Sequence, residues 1–356
     1  MNNDLTISAK YVITRIFAIQ DGPFGDRSNL GEKQMTSTNK PFRNVRAILG
    51  FLLKAEVDAI FKQQPFELRD EKTDPPHAWR SSCDAVRTLS TTPTNVQIGF
   101  LDETQLPILK TIRSRKTFAK YYDAIDDHNF AMVPINALLS PQWFADLDYI
   151  HELASQITEA ASFEDLIRFT IAEGTITEPI ISGSQVIFTS LRPDIYADQI
   201  PTVREVESGE FEIVVRASSR PNYVSVASIG GRLVLTNGVH HVCALALRGF
   251  ESVPCVLRSV SRIEETGLNL QSTLFRPDLF SGQRPAQVLD FLDDKVAVPL
   301  RMRSMYHILR IGIVVEPIRI PAIPDGGAAF KPDASKFAPP SLGLGTATVQ
   351  GTTSTV

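Results

Sequence analysis

Residues 231–258, GRLVLTNGVHHVCALALRGFESVPCVLR, constrain the fold more than any other part of the chain. They read as a short apolar strand, an Asn237-Gly238 turn opening straight into a helix, a glycine stop at Gly249 and a second strand. Glycine tolerates positive φ and lets the backbone approach a ligand closely, so Asn-Gly suits a sharp turn. Val242, Leu245, Ala246 and Leu247 make the helix almost wholly apolar, and such a helix must be buried. Arg248 complements the dipole in its last turn, and Gly249 followed by Phe250 reads as a helix end with a hydrophobic latch. Free backbone N–H groups at the helix start form a natural anion site. A phosphate-bearing ligand held by Asn237, Gly238, His240 and His241 is therefore the expectation.

Two adjacent histidines on a helix point about 100° apart, so His240 and His241 cannot both line one pocket. Either one is a core or surface histidine and the other caps the turn, or His241 faces the anion. Neutral histidine donates one N–H, so it would hold phosphate more weakly than arginine and with pH dependence.

Other pieces join this stretch: Val133-Pro134-Ile135, the run from Gly174 to Ile180, and Gly230-Gly231 ahead of Arg232. With Ala244-Leu245, Gly249 and Val253-Pro254-Cys255-Val256 they resemble the ParB/sulfiredoxin superfamily over about 130–260. The resemblance implies an α+β fold whose centre, 129–260, is a ParB/sulfiredoxin-like mixed domain with a large insertion near 140–225. An N-terminal α/β region, 1–128, would precede it, and an extension, 261–325, would follow. The implied ligand is a nucleotide or phosphate, with Mg as its companion, at Asn237 to His241.

The departures from that family bear on chemistry. Sulfiredoxins carry their catalytic cysteine directly after the turn glycine, where this chain has Val239, and Cys243 lies a full turn later. ParB proteins carry G-E-R-R, the acid and arginines handling phosphates and metal, where this chain has Gly238-Val239-His240-His241. The leading expectation is a non-catalytic binding or interaction protein that kept the fold. The alternative is a divergent phosphoryl-transfer enzyme or nuclease using His240 or His241, with acids from Asp146, Asp148 or Glu178. A third reading is a structural component docked on a protein partner through residues 326–356, whose Gly, Pro, Ala, Ser and Thr read as a flexible tail.

Composition narrows the partners. A formal net charge of -4 gives no whole-surface attraction to nucleic acid or to acidic membranes. The best local nucleic-acid candidate is Lys110, Arg113, Lys116 and Lys120, with Arg115 between them and Tyr121-Tyr122 following. Its simpler reading is a solvated helix face, diluted by Asp123, Asp126 and Asp127. Three scattered cysteines make no disulfide framework, and no C-x-x-C or H-x-x-x-H pair offers a metal site. His151-Glu152 lacks the second histidine of a metalloprotease helix, Ser155 standing in its place. With no secretory leader and no apolar run of about 18 residues, no membrane contact and a cytoplasmic setting are expected.

Periodicity places the remaining elements. A strand is expected at 11–18, and a helix at 42–62 with Val45, Ile48, Leu49, Leu52 and Ile60 on one face. Further helices are expected at 78–89, at 104–125, from Ser140-Pro141 onward, and from Ser162 with a near capping box. Residues 176–236 read as mostly extended, with 192–208 a loop, and a helix is expected near 285–294.

Overall fold

The computed structural model describes residues 9–19, 42–63, 66–68, 74–90, 96–123, 128–172, 178–182, 185–190, 195–197, 202–207, 210–268, 274–282 and 284–315. The chain divides into two compact units, residues 1–11 with 313–356, and residues 12–312. The segment 326–356 lies outside the described residues. The boundaries expected at 128/129 and 260/261 both fall inside the second unit.

The fold is α+β. Its principal strands are β1 (Phe42–Ala47), β2 (Phe66–Leu68), β3 (Gly99–Phe100), β4 (His128–Pro134), β5 (Leu138–Leu139) and β6 (Phe144–Asp146). After a region of small hairpins come β7 (Ser225–Ile229), β8 (Arg232–Asn237), β9 (Ser252–Ser259) and β10 (Val298–Arg303). The helices that pack on them are α1 (Lys54–Gln63), α2 (Pro75–Arg87), α3 (Pro107–Arg113), α4 (Leu147–Ala154), α5 (Phe163–Thr170) and α6 (Val239–Leu247).

Two sheets organise the second unit. One runs β3-β4-β9-β7-β8-β5, mixed, with β7 parallel to β9 and β8 parallel to β5. The other is antiparallel, β2-β10-β1-β6. Side chains alternate across a strand, and the cores follow that period. On β8, Leu233 and Leu235 enter the main core with Val242 and Leu245 of α6, while Val234 faces a small cluster with Leu139, Leu268 and Phe280. On β9, Val253, Cys255 and Leu257 enter the main core, while Val256 joins Phe118, Phe130 and Tyr223 on the other side. Both faces of the mixed sheet are thus covered, which is why β8 and β9 read as nearly unbroken apolar runs.

The strand–turn–helix–strand reading of 231–258 holds: β8, Gly238 in the left-handed region at φ 97°, α6, Gly249 at φ 79°, then β9. The Ser162 cap is a complete capping box with Asp165, and α2 opens with Pro75 behind the Asp74 cap. The helix expected over 42–62 is instead a strand, a short 3-10 turn at Leu49–Phe51, and α1. Val45 and Ala47 are buried as expected, but β1 takes its hydrogen bonds from β10 and β6, partners distant in sequence. The helix expected from Ser140-Pro141 begins at Leu147, because residues 144–146 are claimed by that sheet and Asp146 supplies the cap. The helix expected over 104–125 breaks, within the described residues up to 123, into α3, Lys116–Phe118 and a π-helical turn, Ala119–Asp123. The loop expected at 192–208 contains the strands Ile195–Ala197 and Thr202–Glu207. Near 285–294 the helix is 3-10, Val288–Leu292.

Gly50 shows how tightly the 3-10 turn meets α2. Its N–H donates to Ser82 Oγ at 2.8 Å, and that hydroxyl donates on to Val296 O at 2.6 Å. A Cβ on Gly50 would stand 2.4 Å from the Ser82 carbonyl oxygen, so backbone would have to move. Gly50→Ala is expected to destabilise the protein by about 1–3 kcal/mol in urea unfolding. Gly249→Ala, where a Cβ meets nothing, should cost only its left-handed backbone, about 1–2 kcal/mol. A Gly50→Ala midpoint equal to wild type would contradict the packing described.

Candidate functional site

The turn between β8 and α6 is built against the chain itself. Gly238 is buried, and a Cβ added there would lie 2.8 Å from Val224 Cγ2 and 2.9 Å from Val224 Cα. The close approach that Asn-Gly permits is made to a valine. Asn237 Nδ2 donates to Tyr223 O at 2.8 Å, so the amide anchors the turn to the segment entering β7. Val239, at the first helical position, is 4% exposed.

The two histidines diverge as their helical positions require. His240 Nε2 accepts the Asp146 backbone N–H at 3.0 Å, and its ring lies edge-to-face with Tyr149 at 5.3 Å. Accepting that bond requires Nε2 to be unprotonated. His241 is 4% exposed, edge-to-face with Phe169 at 5.1 Å, with Asn222 Nδ2 3.5 Å from its Nε2. Of the four expected ligand residues, Asn237, Gly238 and His241 face the β7 entry and α5, while His240 faces α4.

Sequence reading missed the network behind His240. Asp146 caps α4 by accepting Tyr149 N–H at 2.9 Å, and its other oxygen meets Arg43 Nε at 2.7 Å. Arg43 also reaches Glu152 at 3.7 Å. Asp148 accepts from Asn44, backbone N–H at 2.9 Å and Nδ2 at 3.0 Å. Asp146 and Asp148 are therefore occupied in joining β1 to α4, and Glu178 is exposed on a separate segment. Burial raises the Asp146 carboxyl above the ordinary carboxylate range, against the lowering pull of the Tyr149 N–H and of Arg43. Arg43 and Asn44 gave no local signal, because they lie in a strand that periodicity assigns to a helix.

Cys243 and Cys255 are fully buried, and burial pushes both thiols far up, so neither supplies a thiolate. Among the described residues no three His, Cys, Asp or Glu side chains converge as a metal site. No described helix is long and apolar enough to cross a membrane.

The basic cluster divides. Arg113 is a packing residue: it pairs with Glu103 at 2.6 Å, donates to His128 O at 3.1 Å and lies over the Phe118 and Phe130 rings. Lys110, Lys116 and Lys120 are exposed. Lys120 extends over Tyr196, 4.7 Å from the ring centre, a contact that joins it to a hairpin of the expected insertion.

The Asp146 shift sets a pH dependence. A carboxyl raised in the folded state contributes stability that is full below the unfolded value and is lost as pH climbs through the folded one. Asparagine keeps an acceptor for the cap and has no charge to bury. The stability of wild type minus that of Asp146→Asn should therefore be greatest near pH 3 and shrink towards about pH 7, read from urea midpoints. A difference that grows with pH would mean that the Arg43 pair outweighs burial.

No family model matches the chain, and no curated protein and no solved structure matches it, so its function has to be read from these side chains.

Proposed function

We propose that the chain is a non-catalytic binding or interaction protein built on a ParB/sulfiredoxin-like unit, in which the strand–turn–helix serves as a packing joint. The observation that carries this reading is Gly238 seated on Val224, with Val239 buried beside it where the resemblance would put a cysteine or an acid. Nucleophilic catalysis needs an activated side chain at an accessible position. Val239 has no reactive atom, Cys243 is buried with its thiol held protonated, and His241 is enclosed by α5 and the β7 entry.

A nucleotide or phosphate entering the turn would meet only backbone dipole, because the groups expected to hold it are engaged by the chain. Asn237 holds Tyr223 O, and His240 holds the Asp146 N–H. We therefore expect nucleoside triphosphates, with or without Mg, to leave the melting temperature unchanged, and no phosphate release above background.

One observation favours the second reading, a divergent phosphoryl-transfer enzyme or nuclease. Asp146, with its raised carboxyl, stands between Arg43 and the backbone bond to His240, and perturbed carboxyls gather at active sites. Structural ion pairs perturb carboxyls equally, and here the same atoms cap a helix. Malachite-green phosphate release and cleavage of a labelled oligonucleotide test both readings together. Turnover abolished by His240→Ala or His241→Ala, with folding retained, would overturn the non-catalytic proposal and establish the enzyme.

A further inference from the structure

We infer a site, built from residues other than those of the α4 network, that takes single-stranded nucleic acid by base stacking and phosphate pairing. It is formed where the π-helical turn Ala119–Asp123 meets the hairpin of Ile195–Ala197 with Ala217–Ser219. The Tyr121 and Tyr196 rings stand edge-to-face with centres 6.1 Å apart. Lys120 Nζ lies 4.7 Å from the Tyr196 ring centre and 5.7 Å from that of Tyr121, and the Arg220 guanidinium lies 6.0 Å from Tyr121. Lys116 stands one turn before Lys120, and all three cations are exposed. Among the described residues none of the three has a carboxylate partner.

An independent observation points to a missing polar partner. The Tyr121 hydroxyl and the Ser219 hydroxyl are both buried without a hydrogen-bond partner, and Ser219 itself is 7% exposed. Ser219 adjoins Arg220 and pairs with Ile195, the neighbour of Tyr196. Orphaned hydroxyls are rare in folded proteins and call for an occupant. Two of them beside exposed cations and aromatic rings describe a place for a group that brings both anionic oxygens and a planar face. A nucleotide strand brings both in every unit. Its phosphates pair with Lys116, Lys120 and Arg220, and an unpaired base exchanges with the cations on the tyrosine faces. Duplex hides its base faces, and an acidic peptide lacks them. π-Helical turns recur at functional sites because they re-aim side chains that an α-helix would leave in line. Here the turn sends Tyr122 inward to stack on Tyr223 while Lys120 and Tyr121 meet the hairpin.

The inference rests on the reading of this protein as one that binds, and its test is separable: turnover would sink that reading without touching this site, and absent oligonucleotide binding would sink this site alone. The probe is a fluorescein-labelled oligothymidine of about twelve nucleotides, followed by anisotropy with the full chain at low and at moderate salt. Wild type should bind, more weakly as salt rises, and better than it binds duplex of equal length. Lys120→Ala with Arg220→Ala, and separately Tyr196→Ala, should each weaken binding roughly tenfold. Tyr121→Phe removes an unpaired hydroxyl, so it should leave the melting temperature of the free protein equal or higher while weakening the oligonucleotide several-fold. That combination is not expected of a residue that only packs. If Tyr196→Ala fails to fold, Lys120→Gln on the exposed face carries the test. No binding by the wild type, equal affinity for duplex, equal competition by polyglutamate, or affinity unmoved in the folded variants would each overturn the site.

Discussion

The contact between Gly238 and Val224 is the point through which the sheets and helices of the second unit are fixed to one another. Val224 donates its N–H to Thr170 O at 2.7 Å, at the end of α5, and its carbonyl accepts from Val256 N at 2.9 Å in β9. Its side chain fills the space that any Cβ at Gly238 would need. One residue thus ties α5, β9 and the start of α6 together, and the apolar helix that follows has a single direction in which to enter the core. From there α6 places His240 against α4, whose own N-terminus is capped by a strand residue of the other sheet. Register in the mixed sheet and the seat of α4 both descend from a turn that only glycine can make.

The sequence reveals this fold where its elements are local. The pattern from Arg232 to Arg258 specifies a strand, a left-handed glycine, a buried helix and a strand, and each is present. Ser162 with Asp165, and Asp74 before Pro75, announce helix starts by caps made within a few residues. The failures share one cause. Residues 42–47 are a strand because they pair with Val298–Arg303 and with 144–146, whose own partner is 45–47, and nothing near them in the chain records those partners. Val45, Ile48, Leu49, Leu52 and Ile60 are all buried, so their spacing fits a helix although only Ile60 lies in an α-helix. Tertiary pairing overrides such a pattern routinely.

The candidate site divides the same way. That His240 and His241 must part company follows from helix geometry alone, and they do. Which of them would touch a carboxylate's network could not be read, since Arg43 and Asn44 come from a strand whose existence was hidden. Arg113 and Lys120 look equivalent in a list of cations, yet one is neutralised by Glu103 in a packed corner and the other reaches two tyrosines. The difference lies in Tyr196 and Arg220, contributed by the expected insertion, where composition shows only a polar stretch.

A helix N-terminus attracts anions, but the attraction of about half a unit charge must exceed what the anion loses on leaving water. At Gly238 the nearest atoms are those of Val224, Val239 beside it is buried, and His241 packs on Phe169. His240 is already an acceptor towards Asp146, and protonating it to greet a phosphate would break the bond that seats α4. Around Tyr121 each of these conditions is reversed: cations exposed, hydroxyls without partners and ring faces within their reach. The anion site is therefore proposed at the hairpin and the π-helical turn, while Asn237 and His240, which look most like a phosphate loop in the sequence, make contacts within the protein.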